Sequence, residues 1–412
     1  MNQIVKSEEY IETELGELPV DWKVEKFQDC IVKKRSKVGK VQQQKYKQVG
    51  EFPVVDQGKN KIAGYWDNEE DVYSGDLPIV IFGDHTRIVK FIDFPFVCGA
   101  DGTKVIAPDK SKVDPLYFYY VVSSLDVSSR GYNRHYSLLK EKFIPCPPLP
   151  EQQKIAYVLS AIQEDKEDTE SIISSYKELK KSLMNHLFKY GPVKFEDAEK
   201  VKLKKTEIGE IPENWEVKGI KDLIEKTTQK DMQKENTEFK YIDVSSIDRD
   251  FYRVTGFTFH KGKTSPSRAR KIVKTNDVIV ATVRPTLKRI ALVSEDYDNQ
   301  ICSTAFCVLR ANAEQVNSKF IYYSTQRSLF FDALSSIQRG ASYPAVSDSD
   351  IKKQKIAYPN PACQEEVAEI LSSVDFKIEQ EENKKKALEE LFQSMLHNLM
   401  TAKIRVKDIN NG

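Results

Sequence analysis

The 412-residue chain is poor in the residues that metal and redox chemistry draw on, with six cysteines and five histidines. Cys30, Cys98, Cys146, Cys302, Cys307 and Cys363 show no Cys-x-x-Cys spacing and no histidines beside them, which argues against a zinc site and fits a reducing cytoplasm. No run of about 18 apolar residues occurs, and the start lacks the apolar core of a secretory signal, so the expectation is a cytoplasmic protein with no membrane segment. Charge of one sign is also missing: 63 basic against 62 acidic residues leave a net +1, so any affinity for nucleic acid must come from local patches. Catalytic signatures are scarce. No glycine-rich phosphate or methyl-donor loop follows an apolar run, since Gly99-Ala-Asp-Gly102 is too short. No Asn-Pro-Pro-Tyr sequence occurs, and Pro108-Asp109 lacks the nearby Glu-x-Lys of a nuclease centre. Asp84-His85 could form an acid–base pair, but without a nucleophile or a ligand set a binding role fits it better.

What the chain does have is a duplication. Residues 152–188 and 364–400, overlaid without a gap, agree at ten positions, among them Gln152/Gln364, Ala156/Ala368, Leu159/Leu371, Leu179/Leu391 and Leu187/Leu399. Apolar residues recur at three- and four-residue steps and no Gly or Pro interrupts either window, so each predicts one long helix of roughly 55 Å. Prolines precede both (Pro145, Pro147, Pro148, Pro150; Pro359, Pro361) and suit a helix start. The middle of each window is charged, over 163–170 and 375–386, and predicts a weakly packed waist between apolar ends.

A second repeat precedes each half. Thr13-Glu-Leu-Gly-Glu-Leu-Pro-Val-Asp-Trp22 returns as Thr206-Glu-Ile-Gly-Glu-Ile-Pro-Glu-Asn-Trp215, a glycine turn, a proline turn and an aromatic anchor. The regions that follow are short apolar runs broken by turn residues. Runs at 77–82, 87–92 and 104–107 predict strands and 115–122 a short helix; 277–283, 290–293, 305–309 and 319–323 answer them in the second half. Both halves then reach an Arg-Gly pair, Arg130-Gly131 and Arg339-Gly340. Little else matches between the two regions.

Two stretches concentrate positive charge. Residues 31–50 hold Lys33, Lys34, Arg35, Lys37, Lys40, Lys45 and Lys47 with no acid before Gly50. Residues 255–292 hold Lys261, Lys263, Arg268, Arg270, Lys271, Lys274, Arg284, Lys288 and Arg289 against Asp277 alone. Such segments neutralise phosphates. Polar residues able to read base edges sit in predicted loops: Gln57, Lys59, Asn60, His85, Thr86, Arg87, Tyr132, Asn133, Arg134 and His135 in the first half. The second offers His260, Lys261, Lys263, Thr264, Arg268, Arg284, Gln338, Arg339, Ser342 and Tyr343. With the phosphate-facing Lys33, Lys34, Arg35, Arg130, Arg270, Lys288 and Arg289 these make up the candidate DNA surface.

The order of lead-in Gly16-Glu-Leu-Pro-x-x-Trp22, mixed region, Pro148-Leu-Pro-Glu-Gln-Gln-Lys-Ile-Ala156 and long helix, all repeated, resembles the specificity subunits of type I restriction-modification enzymes over roughly residues 13–405. Ile79-Val-Ile-Phe-Gly-Asp-His-Thr-Arg87 resembles one recurrent type of target recognition domain in that family. The second helix departs at Pro361-Ala-Cys-Gln-Glu-Glu-Val-Ala368. The resemblance implies an α+β fold with two target recognition domains separated by two long antiparallel, coiled-coil-like helices. The expected division is a domain over 1–150, a helix over 151–190, a linker and domain over 191–360, a helix over 361–405 and a tail over 406–412. It further implies a non-catalytic reader of double-stranded DNA with a two-part target. Two modification subunits would methylate using S-adenosylmethionine, and restriction subunits would translocate and cleave with ATP and Mg2+, so this chain would bind none of those cofactors. A methyltransferase or nuclease with an unrecognised centre is the rival reading; a helical scaffold without DNA affinity is disfavoured by the two basic stretches.

Overall fold

The computed structural model describes residues 9–33, 38–99, 102–128, 134–340 and 343–406. Its two long helices are Leu149–Tyr190 and Pro361–Met400, 42 and 40 residues. Each starts one turn before the predicted window, because a proline in the first helical turn lacks only an N–H that would have no partner there. Compact packing divides the described residues into two units: those up to Ser171 together with those from Glu382 onward, and those of Ile172–Glu381. The unit borders fall inside both helices. Each of the two α+β units holds one mixed region and a segment of both helices.

In the first unit the lead-in is a β-hairpin, Tyr10–Thr13 paired with Gly16–Pro19. Its turn needs Gly16, whose φ of 92° disfavours any side chain. Strand Lys23–Lys26 then pairs with Phe143–Cys146, bringing the start of the mixed region to its end. Between them lies an antiparallel sheet of β1 (Ile79–Gly83), β2 (Val89–Ile92) and β3 (Thr103–Ile106), with β1 in the centre. All five β1 residues are buried, which is why this strand reads as an unbroken apolar run. Helix α1 (Pro115–Ser124) is capped by Asp114, which accepts from the N–H groups of Leu116 and Tyr117; α2 is Tyr136–Lys140. A second sheet orders Lys40–Val41, Val97–Gly99, Phe52–Val55 and Gly64–Trp66. One core joins Phe27, Phe82, Tyr117 and Phe118 to Ile155 and Leu159 of the first long helix and to Leu396, Leu399 and Met400 of the second. With Glu170 and Lys385 paired at 2.8 Å, the two helix segments run in opposite directions within this unit.

The chain beyond the second helix is clasped into the same unit. The Arg405 guanidinium donates to both oxygens of Glu151 at 2.6 and 2.7 Å and to both oxygens of Asp21 at 3.2 and 2.9 Å, while Trp22 Nε1 donates to Glu151 at 3.1 Å.

The second unit repeats the plan. A hairpin of Leu203–Thr206 and Gly209–Pro212 turns at Gly209 (φ 98°), and Glu216–Gly219 pairs with Lys355–Tyr358. Its sheet has β4 (Val278–Ala281) between β5 (Ile290–Leu292) and β6 (Phe306–Ala311), again antiparallel. Helix α3 (Ser318–Gln326) is capped by Asn317; α4 (Ser328–Ile337) and α5 (Asp348–Lys352) follow. The second sheet orders Thr258–Lys261, Glu238–Ile242, Ile301–Ser303 and Ala269–Ile272. The residues of the two mixed regions diverge, as the sequence indicates, but the strand plan around β1 and β4 is shared.

The structure explains one of the ten repeated identities directly. Gln152 is buried at the start of the first long helix, where its Oε1 accepts from the Asp114 N–H at 2.8 Å and its Nε2 donates to the carbonyls of Lys112 (3.0 Å) and Pro147 (2.8 Å). Gln364 does the same in the second unit, accepting from the Asn317 N–H at 3.0 Å and donating to the Pro359 carbonyl at 2.9 Å. Each amide latches a long helix to the capping residue of a short one. The charged waist, by contrast, is better packed than its composition predicts. In the second unit Asp375 accepts from the Tyr323 hydroxyl at 2.8 Å and pairs with Lys180 at 2.7 Å, and Ile378 is buried. In the first unit Thr169 is buried outright, its hydroxyl donating to the Asp165 carbonyl. Among the described residues no helix is long and apolar enough to cross a membrane.

Replacing Gln152 with Met strands one N–H and two carbonyls in the core and is expected to destabilise the first unit by about 2–4 kcal/mol, with Gln364→Met costing the second unit somewhat less. Denaturant unfolding of the full chain followed by hydrogen exchange in each unit measures both; unchanged midpoints would show that the latches carry no weight.

Candidate nucleic-acid interface

In each unit the central strand ends in a hairpin whose connecting loop carries candidate readers. In the first unit residues 84–88 join β1 to β2. Arg87 sits there in left-handed backbone (φ 62°), exposed, with Nη1 donating to the Val127 carbonyl at 3.0 Å. In the second unit residues 282–289 join β4 to β5, and both Arg284 (φ 47°) and Lys288 (φ 52°) are left-handed. For residues with a side chain this conformation costs about 1–2 kcal/mol each, and it persists only where surrounding contacts enforce it. Around Arg284 those contacts are its own N–H donating to the Pro344 carbonyl at 2.7 Å and its guanidinium lying 5.0 Å over the ring of Tyr343, itself 76 % exposed. Lys288 lies 5.4 Å over Phe331.

The first hairpin is interlocked with a loop from the second sheet. Gln57 Oε1 accepts from the His85 N–H at 3.2 Å, and the Thr86 hydroxyl donates to the Gln57 carbonyl at 2.7 Å. Lys59 and Asn60 are exposed on the same loop. Arg134 is exposed beside α2 and shares a groove with Lys26, Lys104 and Lys140, three cations the sequence reading missed because they are scattered singly along the chain. In the second unit the rim is stitched by backbone bonds: Thr282 N–H to Ala305, Val346 N–H to Thr282 and Thr304 N–H to Arg268. Arg284, Arg339, Tyr343 and Arg268 are thus brought to one rim, with Arg339 bridged to Ala345 and exposed. His260, Lys261, Lys263 and Thr264 lie along the edge strand Thr258–Lys261 and the turn after it, and Arg270 lies on Ala269–Ile272, the opposite edge of the same sheet; all but the half-buried His260 are exposed.

Some candidates are placed elsewhere. His135 is buried, its Nδ1 and its N–H both within 2.9 Å of the Asp84 carbonyl, so it holds the hairpin and reads nothing. Arg289 is turned inward onto the carbonyls of Val244 and Ile247 and braces the fold. Lys271, counted in the second basic stretch, is buried against Asp348 at 2.6 Å. Gln338 is half-buried at the end of α4, and Lys33 lies beside Asp29, Glu25 and Asp109, acids that offset its charge. Lys34, Arg35, Arg130, Tyr132, Asn133 and Ser342 lie outside the described residues. Nor is Asp84-His85 an acid–base pair. Burial pushes the Asp84 carboxyl up, but bonds from the Tyr136 N–H (2.8 Å) and Lys104 (3.2 Å) hold it below the usual carboxylate range, committed to structure.

Comparison with known proteins bears on this geometry. Residues 19–179 and 212–390 each match the family described as type I restriction modification DNA specificity domain. A protein of Methanocaldococcus jannaschii assigned as the type I restriction enzyme MjaX specificity subunit is 25% identical, covering 98% of this chain and 99% of its own. The MjaVIII specificity subunit of the same organism is 26% identical over 75% of each chain. The crystal structure of the S subunit of a type I restriction-modification system from M. genitalium superposes with a TM-score of 0.61 over 92% of this chain and 96% of that one; at 18% identity it shows the shared fold. With the family's domain present twice and one relative matched almost end to end, the chain belongs to the type I restriction-modification DNA specificity family and is a specificity subunit.

Proposed function

We propose that each unit reads one half of a split double-stranded DNA target through its central hairpin, and that all covalent chemistry is done by partner subunits. The observation that supports this most directly is the matched pair of hairpins. Two mixed regions with little sequence in common both hold an exposed arginine in left-handed backbone at the end of the buried central strand. An arginine fork suits the O6 and N7 acceptors of guanine, and the exposed Lys59, Lys261, Lys263, Arg268 and Arg270 suit phosphates. Adenine methylation would fall to two modification subunits using S-adenosylmethionine, and translocation and cleavage to restriction subunits using ATP and Mg2+. This chain supplies the address. The rival reading, a methyltransferase or nuclease with an unrecognised centre, gains no support from Asp84-His85, whose carboxylate already accepts from the Tyr136 N–H and pairs with Lys104.

Replacing Arg284 with Ala is expected to cost about 1–3 kcal/mol of discrimination at one half-site and none at the other. Binding to duplexes altered at either half checks it, and equal loss at both halves would overturn the one-unit, one-half assignment.

Reversing Lys261, Lys263, Arg268 and Arg270 to Glu should weaken binding to every sequence and lower the salt slope by up to about 3.6, at roughly 0.9 per lost phosphate contact. A slope unchanged from wild type removes these four residues from the interface.

Titrating the chain alone with S-adenosylmethionine in a calorimeter should give no saturable heat; stoichiometric binding would move the methyl-transfer chemistry onto this chain.

A further inference from the structure

Beneath the first recognition hairpin lies a buried ammonium that the reading above does not use. Lys90 projects from β2, opposite Ile81 of β1, and its side chain is 6% exposed. Its Nζ donates to the carbonyl of Asp56 at 2.7 Å and to that of Asn60 at 2.5 Å, with Asp56 Oδ1 a further 3.8 Å away. The ammonium therefore ties together both ends of the five-residue loop 56–60. Desolvation pushes the lysine below its ordinary range and the Asp56 carboxylate opposes this. A charge at that depth is held by these acceptors, and no neutral side chain of the same length could make the same bonds.

The loop so closed is the one that grips the hairpin. Gln57 meets His85 and Thr86, and three glycines leave room for it. A Cβ on Gly102 would lie 2.7 Å from Gln57 Nε2, one on Gly83 would lie 3.0 Å from Gln57 Cβ and 2.1 Å from Thr86 Oγ1, and one on Gly99 would lie 2.5 Å from Asp56 Cβ. Such clearances define one relative placement of loop and hairpin. We infer that Lys90 is a positioning residue for first-half-site recognition: it fixes the 56–60 loop against the 84–87 hairpin, and that interlock decides which bases the unit accepts. The inference rests on the assignment of one half-site to each unit. Lys90 touches no DNA in this scheme, and its effect passes through Lys59, Thr86 and the residues beside them. The second unit builds the same kind of support from different residues, with buried Lys271 donating to the Phe306 carbonyl at 2.5 Å and to Asp348 at 2.6 Å beneath the rim formed by Thr282, Ala305 and Val346.

The test is Lys90→Met in the full chain, in the complex it forms in its host, used to select duplexes randomised at both halves. The expected result is at least a tenfold relaxed preference at the first half-site, with the second half-site and the salt slope as in wild type. Unchanged first-half preference would overturn the positioning role, as would a salt slope reduced by about one, which marks a direct phosphate contact. Equal relaxation at both halves would also overturn it and, unlike those outcomes, would sink the one-unit assignment as well. Should circular dichroism show Lys90→Met unfolded, Gly102→Ala disturbs the interlock from the opposite side and is judged by the same selection.

Discussion

Each unit depends on a polar group buried where only one arrangement satisfies it. An apolar residue at Gln152 or Gln364 would still bury surface, but it would not say where the short capped helix must sit relative to the long one. The amide does, because an N–H and at least one carbonyl must each meet the correct end of it. The hydrophobic contacts of Ile155, Leu159, Val367 and Leu371 supply the larger share of burial, and the glutamines supply the register. That division of labour explains why a glutamine is shared by two helices that agree at only ten of 37 positions.

The candidate recognition rims extend the same logic into a harsher setting. Left-handed arginines and buried lysines both raise the energy of the folded chain locally, and both are tolerated because neighbouring backbone carbonyls and aromatic rings leave them no alternative. A rim held this way changes little when a ligand arrives, so the ordering entropy of the loops has been met during folding. It also separates two tasks within a few residues of chain: side chains at the tips can vary while the carbonyl-bound supports beneath them stay.

Much of this was legible in the residues. The long helices, the doubled lead-in and the central strands follow from periodicity and turn chemistry, and the shared Gly16/Gly209 follows from a backbone angle that only glycine takes easily. The site was legible by chemistry more than by place. Arg87, Arg284 and Tyr343 were singled out as candidates because their residue types suit base edges, and the fold leaves them exposed, whereas His135, Arg289 and Lys271 are turned inward, because composition does not say which way a polar side chain points. Lys90 escaped notice for the converse reason. A single lysine in an alternating strand reads as solvent-facing, and only the loop folded back over it makes that position interior. The succession of three strands and a short helix common to the two mixed regions was legible in their matching apolar runs, but the pairing that sets β1 and β4 at the centre was not, because antiparallel pairing constrains burial and not identity.

The clasp of Arg405 on Glu151 and Asp21 has a consequence for how the molecule comes into being on the ribosome. One unit is a continuous stretch of chain, complete once Glu381 has emerged. The other is sewn from both ends, and the partners of Tyr117, Leu159 and Glu151 arrive only with Leu396, Leu399 and Arg405. Synthesis therefore imposes an order: the region made first is finished last. For the time it takes to translate more than two hundred residues, its core waits with one side uncovered, and its solubility in that interval rests on the nascent chain and whatever shelters it.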